Sequence, residues 1–196
     1  MFFELFPASV VEQAPVLVVA IPLLSALVIS IVGLVNQKYV LPLTILSMAG
    51  SLIASLITLQ RVIEHGPISY HLGSWIPPIG IEYFVDHLNA PVLVLIAAVS
   101  FLTAIYSKDV IRSEVPDKIP SYYVIYTLLV TGLLGITITG DAFNLYVLLE
   151  VAALTAYGLI ALRGGRAYMA TFNYIIMGTI GAGFYLLGVG YLFIKT

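Results

Sequence analysis

From Val16 to Val35 the chain runs twenty residues without a charged side chain, about the length an α-helix needs to cross a hydrocarbon core roughly 30 Å thick. No other feature narrows the fold so far. In lipid every backbone amide must be satisfied inside the protein, so a long apolar run without strict alternation reads as a spanning helix. Pro22 falls in its second turn, where a neighbouring helix can satisfy the carbonyl that the proline frees.

Five more apolar runs follow, 40–63, 88–106, 122–139, 142–162 and 168–194, which with 16–35 make six. The expected fold is an all-α integral membrane protein with six transmembrane helices in a single transmembrane domain over residues 1–196. Composition agrees, because 61% of residues are hydrophobic and 9% charged, whereas soluble domains carry about 25% charge. A net charge of −2 gives no footing for a nucleic-acid partner. The lack of cysteine excludes disulfides, thiol chemistry and Cys-ligated clusters within this chain. His65, His71 and His87 match no metal-ligand spacing and read as loop residues, so neither metal nor cofactor is expected.

Met1 to Ala14 holds Glu4 and Glu12 but no basic residue, the wrong sign for the start of a signal peptide, so the first segment is expected to be retained. Between the second and third runs, Ile68–Leu72 and Ile79–Val85 alternate partially around a Gly/Pro-rich centre, which predicts a β-hairpin. Trp75 and Tyr83 there are natural interfacial anchors. Asp86 stands where an acid caps the third helix.

The stretch Ser107–Pro120 is rich in charges of alternating sign and reads as an interfacial loop, with Glu114 and Lys118 at a supporting spacing. Thr127, Thr131, Thr137 and Thr139 in the fourth run can bond back to their own helix or line a polar seam. In the sixth run Gly178 with Ala182, and Thr179 with Gly183, set small residues four apart, a surface for close helix packing. Numbering the loops alternately puts six of the eight Lys/Arg residues on one side, Lys38, Lys108, Arg112, Lys118, Arg163 and Arg166, against Arg61 and Lys195. By the positive-inside rule that side is cytoplasmic, and both termini are expected outside a cell membrane.

The fifth run carries one acid, Glu150, nine residues in from Ala142. At 1.5 Å per residue that is roughly 13 Å deep, close to the bilayer midplane. An acid there costs about 2.5–3.5 kcal/mol on insertion scales and usually marks an ion path or proton relay. One reading makes Glu150 a structural acid, held neutral by a hydroxyl on a neighbouring helix; the other makes it a proton carrier. Tyr146 and Tyr157 share roughly its face, and neither can neutralise a carboxylate, so a cation would have to come from another helix.

Two segments, Leu72-Gly-Ser-Trp-Ile-Pro-Pro-Ile-Gly-Ile-Glu-Tyr-Phe-Val-Asp-His-Leu-Asn-Ala90 and Gly140-Asp-Ala-Phe-Asn-Leu-Tyr-Val-Leu-Leu-Glu150, resemble the antiporter-like membrane subunits of Mrp-type cation/proton antiporters, complex I and membrane-bound hydrogenases. The resemblance implies that Glu150 is the proton-relay glutamate, which in that family pairs with a lysine of the seventh helix. It also draws Asp141 and Asn144 of the second motif, with Tyr146, Tyr157 and Asn173, into the path or its support. Members run to about fourteen helices in two inverted repeats, whereas this chain offers six, resembling an N-terminal half. The seventh-helix lysine is absent, and Asn173 stands where many members have a lysine early in the sixth helix.

The resemblance therefore implies a subunit of a multisubunit complex for proton translocation or cation/proton antiport, with protons and sodium as candidate ions. The expected partners are the bilayer, other membrane subunits and a chain supplying the missing lysine. A structural or assembly subunit with no relay of its own is the alternative. The spans hold no catalytic chemistry such as a Ser/His pair, metal cluster or phosphate loop, which leaves a redox-driven oxidoreductase complex as the enzyme context such a subunit could serve.

Overall fold

The computed structural model describes residues 7–75 and 80–195. Its helices are α1 (Ala8–Val35), α2 (Val40–His65), α3 (Asn89–Glu114), α4 (Ile119–Ile138), α5 (Ala142–Ala161) and α6 (Ala167–Lys195), with strands β1 (Ile68–His71) and β2 (Glu82–Val85) between α2 and α3. All six helices are long and apolar enough to span a bilayer, and the chain is a multi-pass integral membrane protein.

The first helix starts at Ala8 rather than Val16, and it continues through Pro15 as well as Pro22. Each proline removes the donor that would bond the carbonyl four residues back, and α2 supplies the replacement in both cases. The Ser51 hydroxyl donates to the Val18 carbonyl at 3.2 Å. One Arg61 guanidinium nitrogen donates to the Val11 carbonyl at 3.3 Å and to that of Glu12 at 3.1 Å. A cation at the end of α2 thus holds the first turns of α1 helical.

Val18, Met48, Val62, Leu93, Val130 and Leu134 are buried in a core shared by α1 to α4. Across it the Tyr126 hydroxyl donates to the Ser100 carbonyl at 2.6 Å, and the hydroxyls of Ser107 and Tyr123 lie 3.1 Å apart. Thr127, Thr131 and Thr137 bond back to carbonyls of α4 itself, so they form no polar seam. The α4–α5 contact is close because Gly132 has no side chain: a Cβ there would lie 2.8 Å from the backbone nitrogen of Ala152.

The charge-rich stretch is not a loop throughout. Helix α3 runs on to Glu114, and a short 3-10 turn, Pro116–Lys118, leads into α4. The expected Glu114–Lys118 pair does not form, because the Lys118 ammonium instead donates to the Leu162 carbonyl at 3.0 Å. A cation at the carboxyl end of α5 complements that helix's dipole.

The hairpin forms as expected, antiparallel, with Ile68 opposite Val85 and His71 opposite Glu82; residues 76–79 of its centre lie outside the described residues. Trp75 is exposed, but Tyr83 is 6% exposed and bridges to Thr139, so it anchors the hairpin to the protein rather than to the interface. Burial pushes its phenol above the ordinary tyrosine value. Asp86 does cap α3. Its carboxylate accepts from the amides of Leu88 and Asn89, both at 2.9 Å, while the Asn89 side chain accepts from the Asp86 amide at 2.8 Å, a reciprocal arrangement like a capping box.

Burial falls off after α4. Half of the α4 span is buried (50%), against 22% for α5 and 0% for α6. Helix α6 packs mainly on α5, through a turn in which Gly164 and Gly165 take φ values of 72° and 55°, a conformation that residues with a Cβ rarely adopt.

Candidate functional site

The site starts at the junction of hairpin and α5. The Gly140 amide donates to the Glu82 carbonyl at 2.9 Å, bringing the chain off the hairpin edge. Asp141 then takes an extended conformation and accepts from the Asn144 amide as the cap of α5. The Asn144 side chain donates to the Thr139 hydroxyl at 2.9 Å. Asp141 and Asn144 therefore fix where α5 begins and how it points. Asp141 also lines a cavity of about 660 Å³ with Phe143 and Phe193.

Nine residues after Asp141, Glu150 is half-buried on α5. At about 100° per residue it lies roughly 40° around the helix from Tyr146, and Tyr157 roughly 20°, so the three share one face. That face meets α6. Tyr146 stacks on Tyr185 with ring centres 6.4 Å apart and planes 6° from parallel. Tyr157 meets Tyr174 edge-on at 4.7 Å. The Tyr185 hydroxyl donates to the Ala142 carbonyl at 3.0 Å.

These two pairs bracket Glu150. Eleven residues separate Tyr146 from Tyr157, and eleven separate Tyr174 from Tyr185, so one antiparallel register satisfies both contacts. The same register sets Gly181 at the level of Glu150, and a Cβ on Gly181 would meet nothing within 4 Å. Tyr157 is buried, and its hydroxyl occupies the place a Cβ would take on Gly178. Glu150 is within electrostatic reach of Tyr157. Among the described residues no hydrogen bond or ion pair reaches the Glu150 carboxyl.

The chain's Lys and Arg residues lie at helix ends and in turns, so no cation comes from the interior of the six spans. Asn173, next to Tyr174 in the chain, is exposed on α6 and makes no hydrogen bond among the described residues. Of the residues singled out in the sequence, Glu150, Tyr146 and Tyr157 come together on the α5–α6 face, Asp141 and Asn144 build the start of α5, and Asn173 joins neither group. Tyr174, Tyr185 and Gly178 are additions from the structure, and the matched eleven-residue spacing is the signal that reveals the tyrosines. Away from this face, Ser69 on the hairpin donates to Glu82 and lies 3.3 Å from His71. The serine sits between the other two, so no acid orients the histidine as a hydrolytic relay requires.

No protein-family model matches the chain. It is 36% identical over 183 residues to NADH-quinone oxidoreductase subunit N of Desulforudis audaxviator, covering 93% of this chain and 36% of that protein. It is 30% identical over 186 residues to a subunit of the Na(+)/H(+) antiporter of Bacillus subtilis, covering 92% and 36%. Among solved structures, a chain of the membrane-bound sulfane sulfur reductase, an archaeal respiratory membrane complex, superposes with a TM-score of 0.84 at 33% identity, over 90% of this chain and 36% of that one. The chain thus spans about a third of the length of the relatives it matches, rather than half.

Proposed function

This chain is a homologue of the antiporter-like membrane subunits of complex I and of Na(+)/H(+) antiporters, and on that premise we propose that it works inside a multisubunit ion-translocating membrane complex, contributing Glu150 to a proton path. The observation that carries this reading is the state of that carboxyl. It stands at mid-span, half-buried, with neither hydrogen bond nor cation among the described residues. An ionisable group at that depth usually serves transport, and a structural acid would have a hydroxyl or amide to hold it.

Glu150 takes and releases the proton. Tyr146 and Tyr157 are hydroxyl-bearing neighbours on its face, able to donate or accept in a hydrogen-bonded chain. Asp141 and Asn144 set the depth of Glu150 by fixing where α5 starts. The cation that stabilises the carboxylate comes from outside these six helices, as a lysine on an adjoining membrane helix, and the gap at Gly181 leaves it room to approach. The transported ions are protons and, in antiport, a monovalent cation such as sodium. With the loops numbered alternately, six of the eight basic residues fall on one side, which supports a topology with that side cytoplasmic and both termini outside.

The test is proton movement in vesicles carrying the whole complex, compared between the parent and Glu150→Gln at equal amounts of assembled protein. Full activity in the variant would make Glu150 a structural acid and the chain a structural subunit.

A further inference from the structure

Three of the eight basic residues, Lys38, Lys108 and Arg112, line one cavity of about 410 Å³ between the α1–α2 turn, the start of α2, the end of α3 and the start of α4. None of the three side chains has a hydrogen bond or ion pair among the described residues, and no carboxylate lines the cavity there. Asp109, with Arg112, lies within electrostatic reach of Tyr123 in the cavity wall. Three like charges around one hollow repel each other unless an anion enters.

Two helices add to this field. Leu41, in the first turn of α2, and Ile119, the first residue of α4, both line the cavity, and neither helix has a side-chain cap at its start. Their positive dipole ends favour an anion in the same place, partly offset by the negative carboxyl end of α3, whose last turns bring Ile111 and Arg112. The other basic pair at this end of the bundle differs, because Arg163 shares its cleft with Glu114.

We propose that this cavity binds the headgroup of an anionic phospholipid, with the phosphodiester among Lys38, Lys108 and Arg112. A lipid rather than a free anion fits because the hollow lies at the ends of membrane spans and its remaining walls are largely apolar. Four and three residues before Lys38, Leu34 and Val35 at the end of α1 are 88% and 84% exposed, an apolar flank on which acyl chains can lie. Basic pockets between transmembrane helices hold lipid headgroups in this way. The proposal does not depend on the role of Glu150.

The experiment uses the assembly that contains this chain, purified in a neutral detergent and titrated with phosphatidylglycerol or phosphatidylcholine, with bound lipid counted by native mass spectrometry. Phosphatidylglycerol should bind in preference to phosphatidylcholine. The triple variant Lys38→Gln, Lys108→Gln, Arg112→Gln should lose affinity for it on the order of a hundredfold, with phosphatidylcholine unaffected. The double variant Arg163→Gln, Arg166→Gln should bind like the parent. If the triple variant fails to assemble, Lys38→Gln and Lys108→Gln singly should each weaken binding about fivefold. A large excess of inorganic phosphate should not displace the lipid. Unchanged phosphatidylglycerol binding in the basic-to-Gln variants would overturn the site, and displacement by inorganic phosphate would make it a free-anion site instead.

Discussion

The Ser51 hydroxyl donates to the carbonyl of Val18, the oxygen that Pro22 leaves without its helical donor. A proline inside an apolar span is tolerable because the neighbouring helix carries a hydroxyl at the matching height. The same logic recurs one step toward the N-terminus, where Arg61 bonds the carbonyl that Pro15 frees.

Ser51→Ala should therefore destabilise the protein by about 1–2 kcal/mol, since it strands a buried acceptor. Ser55, also buried, bonds within its own helix to Leu52, so Ser55→Ala should have the smaller effect. Thermal unfolding of the two variants in the same detergent checks this, and equal losses would contradict it.

Tyr157 reaches α6 at the bare backbone of Gly178. Gly178→Ala should push the two helices apart and lower stability by about 1–3 kcal/mol, as overpacking does. Tyr157→Phe removes the hydroxyl that the new methyl would strike. The double variant should thus recover part of the loss, and a double-mutant cycle showing strict additivity would rule the contact out.

The amides of Asn89 first, and then Leu88, hold the Asp86 carboxyl below the usual carboxylate range. Because its folded value is depressed, its stabilisation is present above the unfolded value near 4 and is lost as pH falls through the folded value. Amide protection at the start of α3, taken relative to intrinsic exchange, should therefore fall only in acid, below about pH 4. Asp86→Asn should abolish that pH dependence. An identical acid response in the variant would assign it to another group.

Much of this is legible in the sequence, because a bilayer leaves an apolar run few options. The six spans, the hairpin and the Asp86 cap follow from length, alternation and one acid at a helix start. The true start of α1 is hidden because its support comes from Arg61, fifty residues away from Val11. The end of α3 is hidden because Ser107–Glu114 carries charges that an exposed helical end tolerates as well as a loop does. Spacing points Lys118 at Glu114, but its partner is a carbonyl on a helix that sequence separation conceals. Glu150 with Tyr146 and Tyr157 can be seen as one face; its meeting with Tyr174 and Tyr185 depends on the register between two helices.

The chain has no cysteine, so a single one placed at Ser113, exposed near the end of α3, reports sidedness. With both termini outside, Ser113→Cys should react with an impermeant reagent only from the cytoplasmic face of sealed vesicles. Reaction from the outside would invert the topology.

The central claim is that Glu150 exchanges a proton, and Glu150→Gln tests it most directly. The amide keeps the shape and much of the hydrogen-bonding capacity of the acid but cannot lose the proton a relay needs. Assembled complex, purified in equal amounts and reconstituted into vesicles, should show proton movement reduced at least about tenfold by Glu150→Gln and only in part by Glu150→Asp, a range typical of losing a positioned acid–base group. Parent-level proton movement in the Gln variant would contradict the account.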